Sequence, residues 1–165
     1  MAGLEWTVNT PDELGARFEQ LPSALESTLA DAAGRIANRL EGAAKQNAPR
    51  DLGGAGLAGS IRGVVDNVGA TLVRIRVGAS ADHAAPMEFG TDPFFPPPSE
   101  LRGWARRVLG ADDPESAAFL VARSISETGI DEQPYLRPAF EDNLEFIVTR
   151  INEAVDRAFE AVGLR

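Results

Sequence analysis

A chain of 165 residues with 44% hydrophobic content is long enough to bury a core and sized for one domain over 1–165, and its 25 Asp and Glu against 16 Lys and Arg give a net charge of -9. That acidity argues against general affinity for nucleic acid or an anionic membrane. Zero cysteines exclude disulfides, thiolate nucleophiles and Cys-based zinc sites, a single histidine, His83, excludes a His-rich metal site, and neither a membrane-spanning run nor a signal peptide is expected.

Leu4, Trp6 and Val8 alternate with Glu5, Thr7 and Asn9, the period of a short half-buried strand or of a terminal arm over 1–10. Thr10, Pro11, Asp12 and Glu13 read as a capped helix start, so a short helix is expected to about Glu19. Pro22 then restarts the helix. In it Leu25, Leu29, Ala32, Ile36, Leu40 and Ala43 form one apolar stripe opposite Glu26, Asp31, Arg35, Arg39 and Lys45, until Ala48 and Pro49 end it. Arg50, Asp51, Leu52, Gly53, Gly54, Ala55 and Gly56 follow as a loop. It lacks the Lys and Ser/Thr of a phosphate-binding loop and follows a helix, so nucleotide binding is set aside.

Ser60 to Asp66 and Thr71 to Val77 predict a hairpin joined through Asn67, Val68, Gly69 and Ala70. Val73, Ile75 and Val77 point one way and Leu72, Arg74 and Arg76 the other. Arg74 and Arg76 read either as a solvated sheet face or as contacts for an acidic face of a neighbouring subunit. From His83 to Pro98 the chain reads as a stiff connector with a Pro-rich shaped loop at 92–98. Glu88, between Met87 and Phe89 and ahead of Gly90, needs backbone donors of the following turn or an arginine, within the chain or across an interface. Phe94 and Phe95 need a surface, either the chain's own core or a partner.

Ser99 and Glu100 open a helix with Leu101, Trp104 and Val108 on one side and Arg102, Arg106 and Arg107 on the other, stopped by Gly110. Asp113, Pro114 and Glu115 cap the next, which carries Ala118, Leu120, Val121 and Ile125 up to Gly129. The last helix is expected over 138–160, with Pro138 in its first turn and a stripe of Phe140, Leu144, Ile147, Ile151, Val155 and Phe159. The pattern is α+β, a small antiparallel sheet covered by long N- and C-terminal helices. His83 beside Asp82, with Ser60 and Ser80, could be drawn into a hydrolase triad, but no nucleophile elbow accompanies them. No catalytic residue, cofactor or metal site is expected.

Three separated segments carry a family likeness. Ala48, Pro49, Asp51 and Gly53 lead to Leu57, Ser60 and Ile61; Glu88, Phe89, Gly90 and Thr91 follow; and Pro134, Tyr135, Leu136, Arg137, Pro138 and Ala139 come last. In that order they resemble the HK97 gp10-like proteins of tailed viruses, also described as neck or tail completion proteins. The resemblance implies a non-enzymatic virion protein assembled in the host cytoplasm, a subunit of a homo-oligomeric ring, hexameric on the family's pattern, at the head–tail junction. Its implied partners are further copies of itself, a head connector or head-closure protein, and a tail terminator or tail tube protein. No cofactor and no membrane enter, and the genome passes an acidic channel without specific binding. On this reading Glu88, Phe89, Gly90, Thr91, Phe94, Phe95, Tyr135 and Arg137 are candidate interface residues, with Arg74 and Arg76 as charge partners. The alternatives are a tail terminator ring, an acidic DNA mimic or host-enzyme inhibitor, and a small hydrolase built around His83.

Overall fold

The computed structural model describes residues 12–49 and 56–165. In chain order these form α1 (Asp12–Asn47), α2 (Leu57–Ser60), β1 (Ile61–Val68), β2 (Val73–Ala79), α3 (Ala84–Phe89), α4 (Pro98–Val108), α5 (Pro114–Thr128), α6 (Leu136–Glu141) and α7 (Leu144–Ala161). The two strands pair as an antiparallel hairpin between long N- and C-terminal helices, so the α+β expectation holds. The expected strand at Leu4–Val8, the cap at Thr10 and Pro11, and the loop from Arg50 to Ala55 lie outside the described residues.

Contacts group the chain into two compact units. One comprises Met1–Ile36, Val65–Ile75 and Glu145–Arg165, the other Ala37–Val64 and Arg76–Leu144. In the first, Leu29 and Ala32 of α1 and Ala154 of α7 are buried together, with Leu25, Val68 and Val73 packed around them. The Arg17 guanidinium donates to the Gly163 carbonyl at 2.7 Å. In the second, Ala44, Ala48, Leu57, Ile61, Ala84, Tyr135 and Ala139 form the core, of which Tyr135, Leu57 and Ile61 are the largest fully buried side chains.

The α1 stripe falls as its periodicity predicts: Leu29, Ala32, Ile36 and Leu40 are buried and Glu26, Asp31, Arg35 and Arg39 are exposed. The restart at Pro22 is a correction, since α1 runs through it unbroken. A proline inside a helix removes one backbone bond and costs about 3 kcal/mol. Around Pro22 the Ser23 hydroxyl donates to the Gln20 carbonyl at 3.1 Å, and the Arg17 bond holds the preceding turn from outside the helix. Such bonds are invisible to a rule based on proline alone.

The hairpin lies about two residues later than expected. Gly69 N–H donates to the Leu72 carbonyl at 2.9 Å, so Ala70 and Thr71 make the turn. Val73, Ile75 and Val77 are half-buried and Arg74 and Arg76 exposed, as alternation requires. The single last helix is also corrected. It is broken at Asp142 and Asn143 into α6 and α7. Asn143 is buried there, its amide donating to the Ala139 carbonyl at 2.8 Å and its carbonyl oxygen accepting from Arg39 Nε at 2.8 Å. A side chain that bonds the backbone four residues earlier competes with helix continuation. The expected apolar stripe is only partly covered: Ile147, Val155 and Phe159 are half-buried and Phe140, Leu144 and Ile151 exposed, while Ala139, Ala154 and Ala158 are buried. In α6 and α7 the closest approach is made by alanines, with the larger side chains half-buried or exposed.

Candidate functional site

The segment after the hairpin is a short helix where a connector was expected. Ala84 to Phe89 form α3, with Met87 N–H bonded to the His83 carbonyl at 3.1 Å and Gly90 N–H to the Pro86 carbonyl at 2.9 Å. One helical turn puts Ala84 and Glu88 on the same side, and both are buried. Glu88 retains only 4% exposure. A carboxylate so enclosed requires strong donors.

The donors come from the far end of the sequence. One Glu88 oxygen, Oε2, accepts the backbone N–H groups of Tyr135 and Leu136, each at 2.8 Å, and Oε1 accepts that of Arg137 at 2.9 Å. These are the unpaired first donors of α6, where the helix dipole also favours negative charge. Glu88 therefore caps α6 from another element. Of the two partner types expected for it, backbone donors are the ones present, and they belong to the late segment rather than to the following turn.

Further bonds extend the same seam. Gln133 N–H donates to the Met87 carbonyl at 2.7 Å, and Thr91 N–H to the Ile130 carbonyl at 2.9 Å. Thr91 Oγ1 accepts the Ile130 N–H in return at 3.1 Å. Two glycines allow this closeness. Gly90 (φ 71°) lies where a Cβ would stand 2.8 Å from the Ile130 carbonyl oxygen, and Gly129 (φ 78°) where one would stand 2.1 Å from that of Thr91. Both angles lie in the left-handed region that L side chains avoid.

Tyr135, the residue whose N–H binds Glu88, is itself 1% exposed and places its hydroxyl 3.5 Å from the Ala84 carbonyl. Burial, and then the neighbouring Glu88 charge, push its phenol above the ordinary value. Arg137 contributes its backbone to the seam and keeps its guanidinium exposed, 3.4 Å from Glu132. Thus Glu88, Gly90, Thr91, Tyr135 and Arg137 meet in one clasp. Arg74 and Arg76 lie on the exposed face of β2.

Phe89 leaves the clasp. It is 77% exposed although it follows the most buried acid in the described chain. Phe94 and Phe95, in the loop before α4, are 43% and 52% exposed. The Phe95 ring meets Phe119 of α5 edge-on, centroids 6.1 Å apart. Phe119 and Leu120 are exposed as well. Ala118 and Ala122, one turn apart, mark the face that packs closely, and Phe119 and Leu120 turn away from it.

The chemistry suggested by His83 finds no support in this geometry. The Ser60 hydroxyl donates to the Leu57 carbonyl at 2.8 Å and accepts the Ala81 N–H at 3.2 Å, so it is engaged with backbone on both sides. Among the described residues no group of His, Asp and Glu is arranged to hold a metal ion, and no helix is long and apolar enough to cross a membrane.

No curated protein and no solved structure matches the chain. A family model does match, the one described as "Bacteriophage HK97-gp10, putative tail-component", over residues 12–90. The match ends at Gly90, so the Pro134–Ala139 segment is joined to it by the Glu88 bonds of the fold. Through residues 12–90, then, the chain is similar to the HK97 gp10-like family of phage tail components.

Proposed function

We propose that this protein is a structural subunit of a tailed-virus particle, forming a homo-oligomeric ring at the head–tail junction around a channel for the genome. The observation that carries the reading is the pairing of a buried, fully bonded Glu88 with an outward Phe89, together with the exposure of Phe94, Phe95, Phe119 and Leu120. Large apolar side chains held outward by a rigid seam suit a surface completed by another protein. Glu88, Gly90, Thr91 and Tyr135 shape that surface, and Phe89, Phe94 and Phe95 make its contacts.

The partners are further copies of the chain, with a head connector or head-closure protein on one side and a tail terminator or tail tube protein on the other. Exposed Arg74, Arg76 and Arg137 face acidic neighbours, which a chain of net charge -9 supplies in every copy. The same acidity lets DNA pass without being held. Light scattering on the purified full chain tests the reading. A mass of several subunits is expected, and a monomer at every concentration would overturn it.

A further inference from the structure

Between Thr91 and Ile130 the chain makes a closed excursion. Those two residues bridge in antiparallel fashion at its neck, where Gly90 and Gly129 leave room for the backbones to meet. Beyond the neck α4 packs on α5. Ala105, Ala118 and Ala122 are fully buried, and none of them belongs to the core around Tyr135. Residues 92–129 are therefore a helical hairpin with a packed seam of its own, an arm carried on that neck.

One face of the arm can be traced contact by contact. Phe95 meets Phe119 edge-on. Glu115, one turn before Phe119, accepts from Arg102 at 2.7 Å, and Arg106 stands one turn beyond Arg102. Arg123, one turn beyond Phe119, donates to Glu127 at 3.1 Å. The face thus has an exposed aromatic centre with arginines at both ends. Glu115 and Glu127 offset Arg102 and Arg123, but Arg106 has no ionic partner among the described residues. In a chain of net charge -9 this face is left positive.

The complementary pattern occurs where α6 gives way to α7. Phe140 and Leu144 are exposed on either side of this corner. Between them Glu141 and Asp142 are exposed, and among the described residues their carboxylates make no hydrogen bond or ion pair. An arm laid on a second arm would bring two positive faces together and close a pair. Laid on the corner of the next copy, it sets aromatic against apolar and arginine against carboxylate, and leaves that copy's own arm free to continue the chain of contacts. We infer that the Phe95–Phe119 face of one copy docks on Phe140 and Leu144 of the next, with Arg102 and Arg106 toward Glu141 and Asp142. This rests on the self-assembly proposed above and names two surfaces that meet in it.

Light scattering on two charge-reversed chains tests the pairing. Arg102→Glu with Arg106→Glu reverses the arm, and Glu141→Arg with Asp142→Arg reverses the corner, with Glu141→Arg alone in reserve if the double change does not fold. Each chain is expected to keep the native circular dichroism and to give a mass well below that of the native assembly. An equal mixture of the two is expected to regain it, because every arm then finds a corner of opposite charge on the other chain. A native chain that assembles, with both variants assembling equally well, overturns the contact and leaves the ring reading standing. A mixture that stays small overturns it too, and if one chain carrying all four changes then regains the native mass, the two faces meet within a single chain. A full native chain that is monomeric at every concentration removes both proposals.

Discussion

Glu88 and Phe89 are neighbours in sequence and opposites in surroundings. The carboxylate, which prefers water, is enclosed with three backbone donors, and the phenyl ring, which avoids water, stands 77% exposed. Composition alone would place them the other way round. The difference separates two kinds of constraint within one short signature. Glu88, Gly90 and Thr91 define where the chain goes, whereas Phe89 defines what the resulting surface offers. Changes on the first side should act on folding and changes on the second on association, and the two can be measured apart.

The largest effect is expected at the clasp. Glu88→Ala removes an acceptor of three backbone N–H groups, and bonds to a charged group contribute about 1.5–3 kcal/mol each before water enters the space. A loss of roughly 3–5 kcal/mol in urea unfolding follows. Glu88→Gln should lose less, since its carbonyl can keep the two bonds made by Oε2 while its amide group meets the Arg137 N–H. If Glu88→Ala instead unfolds like the native chain and only fails to assemble, the distinction drawn here collapses. Next comes Gly129→Ala, where the backbone angle and the Thr91 carbonyl oxygen both oppose a side chain. About 2–4 kcal/mol of destabilisation is expected in the same measurement.

Legibility in the sequence followed the same division. Helix periodicity identified the buried face of α1, and alternation identified the two faces of β2, because each pattern is set by local geometry. The family likeness was legible too, and the matched region takes in Glu88–Gly90 but not Pro134–Ala139. That the two segments bind each other was not, since the bond is between a side chain and backbone donors 47 to 49 residues away, and backbone donors leave no trace in residue type. The exposure of Phe140, Leu144 and Ile151 within their stripe was not legible for a related reason: period shows that apolar residues share a face, not how far that face is covered. Alanines at 139, 154 and 158 carried that information, because only small residues permit close packing.

Tyr135 sharpens the comparison through pH. Its phenol is raised by burial and by Glu88, so below about pH 10 both the folded and unfolded chains hold the proton and no pH dependence arises. As pH rises past that value the unfolded chain ionises first. Stability therefore falls until the folded phenol titrates as well. Tyr135→Phe should lose at most about 1 kcal/mol at neutral pH, given the long 3.5 Å bond it removes, and should flatten the alkaline decline. Because this is the chain's only tyrosine, tyrosinate absorbance reports the folded titration directly. A native-state titration at the ordinary value would mean that the ring is not enclosed beside Glu88.

The smallest effects on folding are expected where the largest effects on assembly are. Phe89→Ala removes a side chain that is already mostly in water, so unfolding should shift by no more than about 0.5 kcal/mol. Phe94→Ala with Phe95→Ala costs more, about 1–2 kcal/mol, because the edge-on contact of Phe95 with Phe119 is lost. Both variants should nevertheless remain folded by circular dichroism and sediment as smaller species than the native chain. The order matters more than the sizes: a clasp variant that is unstable but still assembles when folded, beside a surface variant that is stable but does not, would separate the roles of Glu88 and Phe89. A double Phe variant that assembles fully would remove the two rings from the interface and leave Phe89 to be tested alone.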